Sequence, residues 1–104
     1  MKQPIHKLRV PDDVAELVRK MHPDLKKKIK ASLQIILYNP ETGKALKGEL
    51  EGLRSFRVSR FRIVYAKHPV DRISSEKLIE IIAIGPRERI YEETFLILKK
   101  ERAK

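Results

Sequence analysis

In the middle of this chain the hydrophobic period changes at Leu53, and that change restricts the fold more than any other feature. From Val14 to Leu37 apolar residues recur at helical spacing; from Leu53 they alternate. In "PDDVAELVRKMH" (11–22), Val14, Leu17, Val18 and Met21 share one helical face, and Asp12 or Asp13 stands where a cap is needed. In "PDLKKKIKASLQIILYN" (23–39), Leu25, Ile29, Leu33, Ile36 and Leu37 form the buried stripe. Pro23 and Asp24 suit its first turn, and Lys26, Lys27, Lys28 and Lys30 fill the other faces. Only His22-Pro23 separates the two helices, which predicts an antiparallel hairpin ended by Asn39-Pro40.

"PETGKALKGELEG" (40–52) carries three of the four glycines and reads as a loop. Period two then predicts one strand over 53–59 and another over 60–67, with "HPVDRISSE" (68–76) as a turn or longer hairpin loop. "KLIEIIAIG" (77–85) is nearly all apolar, so it reads as a central strand covered on both faces and ended by Gly85-Pro86. A short strand is expected over "IHKLRV" (5–10), stopped by Pro11. The tail "YEETFLILKKERAK" admits a last helix with Phe95, Leu96 and Leu98 as its sticky side. The whole is a single α+β domain over 1–104. Its order is β-α-α-β-β-β with an optional C-terminal helix, helices packing on one face of a small twisted, antiparallel sheet.

Charge narrows the partners. A formal net charge of +10 attracts polyanions: nucleic acid, the ribosome or an acidic protein. The absence of cysteine excludes disulfides, thiolate metal sites and cysteine nucleophiles. No apolar run reaches the roughly 20 residues of a membrane helix. "MKQPIHKLRV" lacks the apolar stretch of a secretory signal, so a cytoplasmic location away from membranes is expected.

In "LRSFRVSRFRIVY" (53–65), Arg54, Arg57, Arg60 and Arg62 interrupt the apolar residues. Like charges side by side on a sheet repel, so folding alone does not favour them. Alternation puts Phe56 and Val58 on one face and Ser55, Arg57 and Ser59 on the other. It groups Phe61, Ile63 and Tyr65 likewise, opposite Arg60, Arg62 and Val64. The helices need the aromatic face, which sends Arg57, Arg60 and Arg62 to the uncovered one. Ile79, Ile81, Ala83 and Gly85 keep one parity, and Arg87 continues it. If that parity is the uncovered one, Arg87 joins the cluster. Converged guanidinium groups match phosphate oxygens and never lose their charge. The alternative is a solvated strand face paired with Glu49, Glu51 or Glu80.

"NPETGKALKGELEGLRSFRVSRFRIVYA" followed by "IIAIGPRERIY" resembles the RelE/ParE superfamily of toxin–antitoxin toxins, RelE-like members more closely than ParE-like gyrase inhibitors. The resemblance covers nearly the whole chain and implies a ribosome-dependent endoribonuclease that cleaves messenger RNA in the decoding site. It implies no cofactor. It assigns Arg57, Arg62, Arg87 and Tyr91 to catalysis, and the further cations Arg54, Arg60, Lys47 and Arg89 are expected to contact the RNA. One departure stands out. Two residues beyond Arg57, where some members carry a second lysine, this chain has Ser59, and Arg60 replaces it only if a turn or bulge intervenes.

The implied reaction is attack of a ribose 2′-hydroxyl on its own 3′-phosphate, which needs a base, an acid and charge stabilisation but no obligatory metal. Arg62 and Arg87 suit the phosphate, because arginine is a poor base. Tyr91 can act as base, stack on a nucleobase or pack against the sheet, whereas Tyr65 has core parity. His6, His22 and His68 read as surface or loop residues outside the cluster. The implied partners are a cognate acidic antitoxin, the ribosome with its message, and operator DNA reached only through the antitoxin. "TFLIL" either docks that antitoxin or closes the core. The competing readings are gyrase inhibition by binding alone and a non-toxic nucleic-acid-binding relative.

Overall fold

The computed structural model describes residues 6–70 and 76–102. Its elements run β1 (Lys7–Arg9), α1 (Asp12–Arg19), α2 (Pro23–Tyr38), β2 (Lys44–Ala45), a 3-10 turn (Gly48–Leu50), β3 (Leu53–Val58), β4 (Phe61–Pro69), β5 (Lys77–Pro86) and α3 (Arg87–Arg102). Residue 5 of the expected first strand, 71–75 of the expected turn and 103–104 of the tail lie outside the described residues.

The strands form one mixed sheet in the order β1-β5-β4-β3-β2. All neighbours are antiparallel except β1 and β5, which are parallel, and the helical hairpin carries the chain from β1 at one sheet edge to β2 at the other. The α+β class and its element order follow the sequence pattern. Two features did not. The 40–52 segment is more than a loop, since Lys44–Ala45 adds an edge strand and Gly48–Leu50 a helical turn. The optional last helix does form, but it starts four residues earlier than expected, at Arg87 directly after β5. It packs on the second sheet face, so the helices do not share one face and the arginine face is not left uncovered.

The hairpin α1–α2 covers one sheet face. Ile29 and Ile36 are fully buried against Val58, Ile63, Tyr65, Ile79 and Ile81. Each such isoleucine contributes roughly 1.5–3 kcal/mol by leaving water. No side chain caps α1: Pro11 holds the N-cap position, and Asp12 and Asp13 stand in the first turn, where they favour the helix dipole. His22, read as a plain surface residue, caps α2 by accepting the Asp24 backbone N–H at 3.2 Å. His6 is also more than a surface residue, for its half-buried Nδ1 accepts the Lys77 N–H at 3.0 Å. His68 lies in β4, 3.1 Å from Glu80.

Helix α3 lies on the opposite face. Ile90 packs with Leu53, Val64, Ala66 and Ala83, and Ile97 and Leu98 extend this second core. Thr94 is fully buried and donates to the Ile90 carbonyl at 2.7 Å. The inward face is therefore Ile90, Thr94, Ile97 and Leu98. Leu96, expected on the sticky side, points to solvent. β5 is apolar on both faces because both are covered.

The alternation of β5 breaks at Ile82. Ile81 pairs with Tyr65 and Ala83 with Val64, although Tyr65 and Val64 are adjacent, so Ile82 is an extra residue in the ladder. Ile79 and Ile81 consequently face the hairpin, whereas Ala83 lies in the α3-side core. The expectation of one unbroken parity from Ile79 to Arg87 fails at this bulge. The bulge turns the C-terminal end of β5, and Arg87 after it, toward the arginine face.

Candidate functional site

Two cross-sheet rows on the α3 side build the site. In one, Arg57 of β3 lies directly opposite Arg62 of β4, which in turn pairs with Gly85 of β5. In the next, Lys44 of β2 lies opposite Ser55 of β3, which pairs with Val64. The β3–β4 turn contains only Ser59 and Arg60, so Val58 and Phe61 form the pair that closes it. Arg57 and Arg62 then make the adjacent non-hydrogen-bonded pair, the kind in which opposing side chains approach most closely. Ser59 takes a positive φ of 57° to make this turn.

Arg87 is the first residue of α3, and its N–H donates to the Arg60 carbonyl at 3.0 Å, tying the helix start to the hairpin turn. Tyr91 follows one helical turn later, so both side chains project from the same face of α3. The Tyr91 and Ser55 hydroxyls are hydrogen-bonded at 3.1 Å, which holds the phenol over the sheet. Arg57, Arg62 and Arg87 line two adjoining hollows. One, of about 370 Å³, is completed by Lys44, Ser55 and Tyr91; the other, of about 240 Å³, by Ser59, Arg60 and Glu88.

None of Arg57, Arg60, Arg62 or Arg87 forms an ion pair with a carboxylate among the described residues. The carboxylates that a merely solvated face would use are elsewhere. Glu80 contacts Arg9 at 3.8 Å and His68 at 3.1 Å. Nor do Glu49 and Glu51 supply a partner. Arg57 makes one long bond, 3.5 Å, to the Ser59 carbonyl. The cluster is thus a set of cations held together against their repulsion around two adjoining hollows, both shared by Arg57, Arg62 and Arg87.

Arg57, Arg60, Arg62, Arg87 and Tyr91 come together. Arg60 does so because Ser59-Arg60 is itself the turn. Lys47 and Arg89 are exposed but line neither hollow. Arg54 falls on the hairpin face, since β3 alternates, and its guanidinium serves the fold. It donates to the carbonyls of Glu41, at 2.8 Å, and Gly43, and pairs with the Glu41 carboxylate at 3.4 Å. Lys44 is the site residue that sequence reasoning missed. Its signal was the register of a two-residue strand, which no periodicity reveals.

The segment before Lys44 is tightly fixed. Buried Tyr65 donates its hydroxyl proton to the Pro40 carbonyl at 2.8 Å and accepts the Gly43 N–H at 3.0 Å. Burial pushes the Tyr65 phenol above its ordinary pKa, against the opposing effect of Gly43 and Arg54. It acts as a structural phenol. A Cβ at Gly43 would lie 2.7 Å from the Tyr65 hydroxyl and 2.9 Å from the Ser55 carbonyl, so only glycine fits. Glu41 also binds Lys67, and that hydrogen bond holds its carboxyl below the usual range.

The chain matches, over residues 8–94, the family described as the ParE-like toxin of type II bacterial toxin–antitoxin systems, and it belongs to that family. It is similar in fold to a mutant of the toxin RelE from Escherichia coli in the free state, with 21% identity and a TM-score of 0.63 over 91% of this chain and 95% of that one. It is similar to a chain of the archaeal RelE–RelB complex of Pyrococcus horikoshii, with 17% identity and a TM-score of 0.61 over 82% and 98% of the two chains. A chain of the RelBE2 toxin–antitoxin complex of Mycobacterium tuberculosis has 20% identity and a TM-score of 0.61, over 78% and 96%. No curated protein matches the chain in sequence.

Proposed function

We propose that this toxin is a ribosome-dependent endoribonuclease that cleaves messenger RNA in the decoding site. The observation that carries the reading is the convergence of Arg57, Arg62 and Arg87, without carboxylate partners, on a hollow that also holds the Tyr91 hydroxyl. A phosphodiester placed on the three guanidinium groups has its developing charge stabilised where it forms. The ribose 2′-oxygen, giving up its proton, forms a bond to phosphorus as the bond from phosphorus to the 5′-oxygen breaks. The departing 5′-oxygen takes a proton from solvent, and the products are a 2′,3′-cyclic phosphate and a 5′-hydroxyl. Tyr91, oriented by Ser55, is the group we assign to the 2′-hydroxyl proton. Such a site contains little proton-transfer machinery, which fits an enzyme whose RNA is positioned by the ribosome, since positioning alone supplies several orders of magnitude.

An acidic antitoxin is the expected partner, by charge complementarity with a chain of net charge +10 and because similar folds occur in RelE–RelB complexes. Operator DNA is reached only through that partner. The test is primer extension on a defined message in a translating extract. New 5′ ends within decoding-site codons are expected, absent without ribosomes and absent with Arg62→Ala. Equal cleavage by a folded Arg62→Ala protein would refute the assignment. The ParE-like description of the matched family favours one second reading, inhibition of DNA gyrase by binding, and a supercoiling assay on the same preparation separates the two.

A further inference from the structure

We propose that Lys44 is a fourth cation of the RNA site and holds the phosphate next to the scissile one. This rests on the RNA-cleaving reading above and extends its substrate contact along the strand. Lys44 lies directly across from Ser55, so its side chain rises on the same sheet face as Arg57, two residues further along β3. Diagonal neighbours on adjacent strands are roughly 7–8 Å apart, within reach of a long side chain. Lys44 lines the larger hollow with Arg57, Arg62, Arg87 and Tyr91. It is exposed and forms no ion pair with a described residue.

A second observation concerns what holds it there. β2 is only Lys44 and Ala45, both exposed, and contributes nothing to either core. Yet the three or four residues leading into it take up both hydrogen bonds of the buried Tyr65 hydroxyl and most of the Arg54 guanidinium, whose buried Nε is left unpartnered. An edge strand of two exposed residues does not return that cost as hydrophobic burial. Its product is the placement of one ammonium group beside three guanidinium groups. A lysine there acts as a point charge on phosphate rather than as a bidentate fork. That suits a neighbouring phosphate, which must be held without being distorted.

The probe is a fluorescent, single-stranded 2′-O-methyl oligonucleotide, which cannot be cleaved, titrated by anisotropy between about 50 and 200 mM salt. Lys44→Ala should bind about threefold to tenfold more weakly at the lower salt, and the slope of log K against log salt should be shallower by about 0.7. Lys44→Arg should restore both. On ribosomes, the loss in kcat/KM should be carried mainly by KM. Tyr65→Phe, which releases the loop, should weaken binding by the same route, so the double variant should bind no worse than Lys44→Ala. Parent-like binding and slope in Lys44→Ala would overturn the proposal. So would a defect confined to kcat, or one that arginine does not restore, because either marks proton transfer instead. A parent that bound the oligonucleotide no better than Arg62→Ala, and cut no message, would overturn the RNA reading and this proposal with it.

Discussion

If Arg57 and Arg62 are kept for function, removing one charge should stabilise the fold. The two lie directly opposite each other in a non-hydrogen-bonded pair and have no carboxylate partner among the described residues. Unit charges roughly 6 Å apart repel by about 0.7 kcal/mol in bulk water and by about 2.8 kcal/mol at an effective dielectric of 20. Arg57 is exposed, which argues for the lower figure, in the range of roughly 0.2–1 kcal/mol found for cross-strand pairs. Arg57→Gln should therefore raise stability by about 0.7 kcal/mol, a rise of about 3–6 °C in Tm for a domain of this size. Arg57→Glu converts repulsion into attraction and should raise it by about twice as much. The assay is thermal unfolding at about 20 mM salt and again at about 1 M, where the Debye length of roughly 3 Å should compress all three values together. Lys47→Gln removes the same net charge away from the cluster and corrects for the general effect of a basic chain. RNA cleavage should rank in the opposite order, with the parent most active. A flat or reversed stability series after the Lys47→Gln correction would refute the reasoning, because the arginines would then not be held against each other.

Tyr65→Phe leaves the Gly43 N–H and the Pro40 carbonyl without their buried partner, so it should cost about 1–3 kcal/mol in urea unfolding; a loss too small to measure would mean the loop is not fixed by the phenol. Tyr91→Phe removes a half-exposed hydroxyl bonded to Ser55 and should leave Tm within about 2 °C while lowering kcat for message cleavage by at least tenfold; undiminished kcat would reassign Tyr91 to stacking or packing. Glu41 has a lowered carboxyl pKa, caused first by its hydrogen bond to Lys67. Its stabilising contribution is therefore present above the ordinary glutamate range and lost as pH falls through the lowered value. Glu41→Gln should flatten that acid limb of a Tm-against-pH curve, and a parallel curve would rule the pair out as a contributor.

The sequence by itself determined most of the architecture, because hydrophobic period reports directly on which elements form and which faces they bury. The helical hairpin and the doubly covered β5 follow from local pattern, whereas the turn at Ser59-Arg60, expected as strand on both sides, does not. The assignment of Tyr65 to the core follows too, by parity with Phe61 and Ile63. Alternation grouped Arg57, Arg60 and Arg62 on one face, but the resemblance was needed to add Tyr91 and to favour a phosphate over a solvated face. The tertiary structure alone decided how those groups meet. The bulge at Ile82 turns the end of β5 toward the arginine face, and a bulge is a register event between strands that alternation along one strand cannot encode. The start of α3 at Arg87 puts Tyr91 one turn away and over Ser55, where a strand continuation would have sent it elsewhere. Arg54 and Lys44 exchanged roles for the same kind of reason. Arg54 was withdrawn to the hairpin face by the pleat, while two exposed residues pairing with β3 brought Lys44 into the site. Side-chain type is written in the chain, but which cations share a volume depends on cross-strand register, and register is settled only when distant segments pair.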